Sequence, residues 1–231
     1  MMRKGKLRSQ VQRAAYVVGL AVLTAIVSTG IAHATTIFTN LGAGGTFFAS
    51  YEVGVTGANF GGVSYAMPFT ASATADLVDA SLALGNNFGS NALTVDVESD
   101  SSGNPGSILG ALTLEATIPS ASFPGLVTFD CTSGCPTLTS GTPYWLVASE
   151  PDPNTTIGWF QSNSDVGTVE FNVGSGWVTA STDDTIGAFQ LDGFPPTTTA
   201  TPEPASLLLL GTGLLGLAGL ARKRSRDRRP A

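Results

Sequence analysis

Between Thr35 and Thr201 the chain carries no lysine, arginine or histidine, so this long stretch must fold with charges of one sign only. All eleven Lys and Arg residues lie outside it: Arg3, Lys4, Lys6, Arg8 and Arg13 at the start, and Arg222, Lys223, Arg224, Arg226, Arg228 and Arg229 at the end. The single histidine, His33, also precedes it. The seventeen acids less Glu203 and Asp227 leave fifteen carboxylates inside, a formal charge near −15 against −6 for the whole chain. A surface without cations cannot neutralise phosphates, which excludes nucleic acid as a partner. It repels acidic polysaccharide unless divalent cations intervene, and it keeps copies of the protein apart. Ser-His and Cys-His nucleophile pairs and lysine Schiff bases are unavailable, leaving a glycosidase-type carboxylate pair as the conventional engine. Nothing in the spacing of the acids picks out such a pair.

The same segment alternates with period two. Leu93, Val95 and Val97 oppose Thr94, Asp96 and Glu98; Leu112 and Leu114 oppose Thr113 and Glu115; Val169, Phe171 and Val173 oppose Thr168, Glu170 and Asn172. This is the spacing of strands with one apolar face. Turn-forming residues separate the runs at Gly61-Gly62, Gly85-Asn86-Asn87, Gly103-Asn104-Pro105-Gly106, Pro151-Asp152-Pro153-Asn154 and Gly174-Ser175-Gly176. About ten short strands at this spacing predict an all-β fold, an antiparallel β-sandwich or jelly roll over residues 35–194. The acids Asp96, Glu98, Glu115 and Glu170 fall on the polar side of their strands and are expected on a solvated sheet face.

Candidate site residues are few. Asp96, Glu98 and Asp100 run into the turn at Gly103 and form the one cluster with the oxygen ligands calcium prefers, although Ser101 and Ser107 stand where an EF-hand loop needs Gly and Glu. Solvated acids at a strand end account for the same cluster, and no metal or other cofactor is assigned. Trp145 and Trp159 lie in aromatic strands whose rings could form sugar-stacking platforms or core. Cys131 and Cys135 lack the histidines of a zinc site and, in an exported chain, are expected as a disulfide.

Both ends of the chain are targeting segments. Residues 1–34 combine a basic start, an apolar run and the small-x-small pattern Ala32-His33-Ala34, which reads as a signal peptide cut by signal peptidase after Ala34. Residues 195–201 form a Pro/Thr-rich, extended spacer. Then come Pro202-Glu203-Pro204, an uncharged run at 205–221 and the basic tail 222–229. Seventeen residues at about 1.5 Å each reach roughly 25 Å, just enough for a transmembrane helix, and the basic tail stays cytoplasmic. Gly211, Gly213 and Gly216 spell a dinucleotide-binding pattern, but no strand precedes them.

The tripartite tail closely resembles the PEP-CTERM sorting signal of Gram-negative bacteria that make extracellular polysaccharide. The resemblance implies that an exosortase-type membrane transpeptidase reads Pro202, Glu203 and Pro204, removes the helix and passes the protein to the cell surface or extracellular matrix. The order Asp100-x-x-Gly103-x-Pro105-Gly106, Ile108-Leu109, Tyr144-Trp145-Leu146-Val147 and Gly158-Trp159 is similar to exported choice-of-anchor domains of type R, which implies an all-β surface module without an assigned activity. The expected protein is therefore a non-enzymatic, exosortase-sorted surface or matrix protein, anchored in the inner membrane only while it is sorted. A second reading is a carbohydrate-binding module that holds extracellular polysaccharide on Trp145 or Trp159, with calcium as a bridge. A third is a carboxylate-based glycan hydrolase.

Overall fold

A computed structural model of the protein describes residues 33–42, 46–54, 62–152, 154–196, 211–214 and 216–217, with Ser164 described by its backbone alone. The chain divides into two compact units, Met1–Pro195 and Pro196–Ala231. In the first, twelve strands follow in order: β1 (Thr35–Thr39), β2 (Phe47–Gly54), β3 (Ser64–Thr70), β4 (Ala75–Phe88), β5 (Thr94–Asp100), β6 (Pro105–Leu114), β7 (Gly125–Asp130), β8 (Thr137–Leu138), β9 (Pro143–Ser149), β10 (Thr156–Asn172), β11 (Trp177–Gly187) and β12 (Phe189–Phe194). All ladders between them are antiparallel. The all-β expectation holds. β1 begins at the residue after the expected signal-peptidase cut, and β12 ends at Phe194.

Hydrogen bonding joins all twelve strands and closes on itself through β4–β7–β6–β5–β9–β3–β10 and back to β4. Two long strands make the closure possible. The first half of β10 pairs with β2 and with the end of β4, and its second half pairs with β11 and β3. Inside lie the alternating apolar residues, including Val95 and Val97, Leu82 and Leu84, and Ile157 and Trp159. Around Phe189 they meet aromatic partners, with ring centroids 4.8 Å from Phe38 and 5.9 Å from Trp159. Full closure leaves few unpaired strand edges.

The turns expected around Gly103 and at Gly174-Ser175-Gly176 form, the one at Gly85-Asn86-Asn87 does not, and Gly61 and Pro153 of the other two lie outside the described residues. Ser102 and Gly103 both take positive φ, 58° and 85°, between Ser101 and Asn104, which is the primed two-residue turn that matches strand twist. The Asn172 side chain accepts from the amides of Gly174 and Gly176 to close the β10–β11 hairpin. Gly85-Asn86-Asn87, however, is not a turn, because β4 runs through it to Phe88. Gly85 is needed there for a different reason: a Cβ would sit 2.6 Å from the Cα of Ala121, whose loop lies against the strand.

The ends of the domain are locked by one buried amide. Asn40, just after β1, donates from Nδ2 to the Gly187 carbonyl at 2.9 Å and accepts from the Phe189 amide at 2.7 Å. Its own carbonyl accepts from the Ser162 hydroxyl at 2.8 Å. One side chain thus ties β1 to the bend between β11 and β12. Asn40→Ala leaves a carbonyl and an amide unpaired in the interior and is expected to destabilise the protein by about 2 kcal/mol, read as a lower urea midpoint at unchanged slope.

Candidate functional site

Register places the acids of the polar strand faces on rows that run across the sheet. Asp96 on β5 stands opposite Val147 on β9, Val147 opposite Ala66 on β3, Ala66 opposite Glu170 on β10, and Glu170 opposite Thr179 on β11. In the next row Glu98 stands opposite Trp145, and Trp145 opposite Pro68. This face is not open to solvent. Ala66, Trp145 and Val147 form a second apolar cluster, with Trp177 packed against it. The expectation of a solvated face is therefore corrected for Asp96, Glu98 and Glu170, which are 9%, 8% and 1% exposed, whereas Glu115 is exposed as expected. The cause is β9, whose residues Tyr144–Ala148 are buried on both faces, so the strands beside it receive an apolar cover that their own alternation does not announce.

Burial shifts Asp96 and Glu98 in one direction. Desolvation raises Asp96 above the ordinary carboxylate range, and desolvation followed by repulsion from Asp96 raises Glu98. On another row Asp130, Asp79 and Asp192 stand side by side on β7, β4 and β12, and Asp79 is raised by burial and then by its two neighbours. Glu150, after β9, is pushed up to about 6, chiefly by burial. Its Oε1 accepts from the Asp152 amide at 2.8 Å, while its Oε2 is buried without a hydrogen-bond partner among the described residues. Asp152 moves the other way, held below the usual range by bonds from the Asn154 amide and the hydroxyls of Ser90 and Thr155.

The residues singled out from the sequence come together only in part. Asp100 and Trp145 do meet: the indole Nε1 donates to Asp100 Oδ1 at 2.9 Å, and Asp100 Oδ2 accepts from the Gly103 amide at 3.2 Å. Both Asp100 oxygens thus serve the turn and the tryptophan. Among the described residues no three acids, cysteines or histidines converge as metal ligands, so Asp96, Glu98 and Asp100 do not form the calcium cluster considered from the sequence. The platform expectation is also corrected. Trp145 is 3% and Trp159 0% exposed, and Trp159 donates from Nε1 to the Ala188 carbonyl inside the core. Neither presents a ring face to a sugar.

Cys131 and Cys135 form the expected disulfide, their Cα atoms 5.6 Å apart. Ala32 and Pro202-Glu203-Pro204 lie outside the described residues, Ala34 is exposed at the start of β1, and most of the expected membrane run 205–221 is also outside. Residues 211–214 and 216–217 are helical with Leu214 and Leu217 exposed, and no helix among the described residues is long and apolar enough to cross a membrane. The sequence reading missed Trp177 and the Glu150–Asp152 pair. For Glu150 and Asp152 the signal was the Pro-Asp-Pro-Asn turn, whose Asp is placed to accept local amides.

Comparison with known families bears on the tail. Residues 200–224 match the PEP-CTERM protein-sorting motif. The match includes the Pro-Glu-Pro triplet, the apolar run and the first three basic residues. Searches of curated proteins and of solved structures gave no match to the chain. The PEP-CTERM motif marks an exported protein sorted at the membrane by an exosortase.

The raised acids set a pH response whose sign follows from linkage. A carboxyl whose folded value lies above its unfolded value binds a proton more readily when folded, so its protonation stabilises the fold, and this contribution is lost as pH rises. For Glu150 the window runs from its ordinary 4.5 to about 6, with Asp79, Asp96 and Glu98 acting in the same direction. Asp152 opposes them, but only at a pH below the ordinary range of an aspartate. The thermal midpoint of the exported protein should therefore be higher at pH 5 than at pH 7.5 in calorimetry. Glu150→Gln should narrow that difference, and an unchanged difference would remove Glu150 from the account.

Proposed function

We propose that this protein is a non-enzymatic surface or extracellular-matrix component, exported through its signal peptide and released from the inner membrane by exosortase cleavage at its tail. The observation that carries the reading is the PEP-CTERM motif at residues 200–224. Its chemistry explains the division of labour within the tail. The uncharged run and the basic cluster govern insertion and orientation, whereas recognition rests on one carboxylate, Glu203, held between two prolines that cannot join the helix. The resemblance of the motif order to that of choice-of-anchor domains fits a module whose role is to be displayed.

The fold suits that route. Thr35 stands opposite Gly193, so the first and last strands of the domain are neighbours and their outer ends emerge together. A precursor held in the membrane by both its leader and its tail can therefore complete the domain before either cut. The spacer of residues 195–201 reaches at most about 25 Å when extended, which keeps the domain near the membrane until the second cut frees it.

Glu203→Ala keeps the apolar run and the arginines and is expected to insert normally but to stay in the inner membrane at precursor tail length. The parent should reach the surface or the medium, beginning at Thr35 and without residues 205–231. Membrane fractionation, blotting through an epitope in the 195–200 spacer and intact mass of the released form read both ends. Equal release of mutant and parent would end the sorting assignment.

A further inference from the structure

One open pocket of 310 Å³ lies where β3 parts from β10. The two strands pair only at Ser64–Ala66 and Glu170–Asn172. Beyond that point Pro68 offers no backbone donor, and β10 departs from its regular path. Between Gln161 opposite Gly187 and Val166 opposite Thr185, four residues of β10 face the single residue Ile186 of β11. This bulge is held from inside: the buried Ser162 hydroxyl donates to the Asn40 carbonyl and accepts from the Asp165 amide. Bulges of this kind re-aim side chains and cluster at binding sites. Here the bulge brings Asp165 to a pocket whose lining includes Phe38, Phe69, Pro68, Ile186 and Thr70.

We propose that this pocket binds a small organic ammonium ion, the charged group against Asp165 and its apolar arm against Phe38, Phe69 and Ile186. Three observations carry this assignment. First, among the described residues Asp165 is the one ionisable side chain that lines the pocket. Secondly, residues 35–201 contain no basic side chain, so a cation for this carboxylate has to come from outside that stretch. Thirdly, Phe38 and Phe69, their ring centroids 5.6 Å apart, line the same pocket as the carboxylate, and aromatic rings attract ammonium groups through their quadrupoles. The volume is at the small end of the range for ligand sites, roughly 300 to 1,000 Å³, which suits a compact amine. A partly desolvated carboxylate also strengthens an ionic contact relative to one in open water, and burial does raise Asp165 above the ordinary aspartate range.

The test uses the protein purified as its host exports it, in about 0.15 M salt so that acids farther than about 8 Å from the ligand are screened. Butylammonium is titrated against 1-butanol, its neutral counterpart, and binding is followed by amide NMR shifts at Gly167 and Ile186. Butylammonium is expected to saturate and to shift these residues, with butanol weaker by on the order of tenfold, the worth of one charge-assisted contact. Asp165→Asn should remove that preference and leave the butanol response unchanged. Asp183→Asn, which removes an exposed acid that does not line the pocket, should leave the preference intact. Phe38→Ala, which opens the wall without touching the charge, should weaken both ligands together. Equal binding of amine and alcohol would overturn the proposal. So would an equal loss in the Asp165 and Asp183 variants, because the cation would then be answering net charge alone.

Discussion

Every carboxylate between Thr35 and Thr201 has to be accommodated without a basic side chain, and the structure of the domain follows from how this is done. Where other proteins would place an arginine or lysine, this one places a hydroxyl, an amide or an indole. Trp145 donates to Asp100, Thr179 to Glu170, Thr137 to Asp76, Gln190 to Asp192, and Ser90, Thr155 and the Asn154 amide to Asp152. Such bonds serve many of the oxygens, although Glu170 Oε2 is buried without a hydrogen-bond partner among the described residues, and they cancel no charge. Stability must therefore come from apolar burial and from the backbone ladder, which is consistent with a sheet that closes on itself and with two apolar clusters rather than one. The abundance of Ser and Thr in the segment is the counterpart of its missing cations.

That arrangement also suits a protein destined for the outside. Like charges spread over the surface keep copies soluble and separate, and the short Cys131–Cys135 bridge is the kind of staple that persists in an oxidising compartment. The adjacency of β1 and β12 brings the two ends of the domain together, Thr35 opposite Gly193. Its polar interior contacts, such as Asn40 with Gly187 and Phe189, hold those ends in place.

Much of the fold was legible along the chain, and the reasons for the exceptions are specific. Alternation in β5, β6 and β10 correctly located Val95, Val97, Leu112 and Val169 inside, because side-chain direction has period two in any strand. Alternation could not say what lies over the other face. Asp96, Glu98 and Glu170 were expected in water and are buried, since Trp145, Val147 and Trp177 come from strands distant in sequence and meet only when β9, β10 and β11 are assembled. Trp145 and Trp159 show the same limit, for a tryptophan in a strand looks alike whether its ring is core or platform. Gly85 looked like a turn because glycine usually marks one, whereas here it leaves room for a loop on the sheet.

The sequence by itself determined the chain's destination and the character of its folded part. A sorting motif is read as a linear string by an enzyme at a membrane, and a strand's inward residues repeat locally, so both survive in the order of residues alone. Tertiary structure decided which acids lose water, which tryptophans are hidden, and that Asp165 faces a pocket. Each of these depends on contacts between segments far apart in the chain. The decisive geometry, a four-residue bulge opposite Ile186 and a proline that parts β3 from β10, exists only once those strands lie side by side.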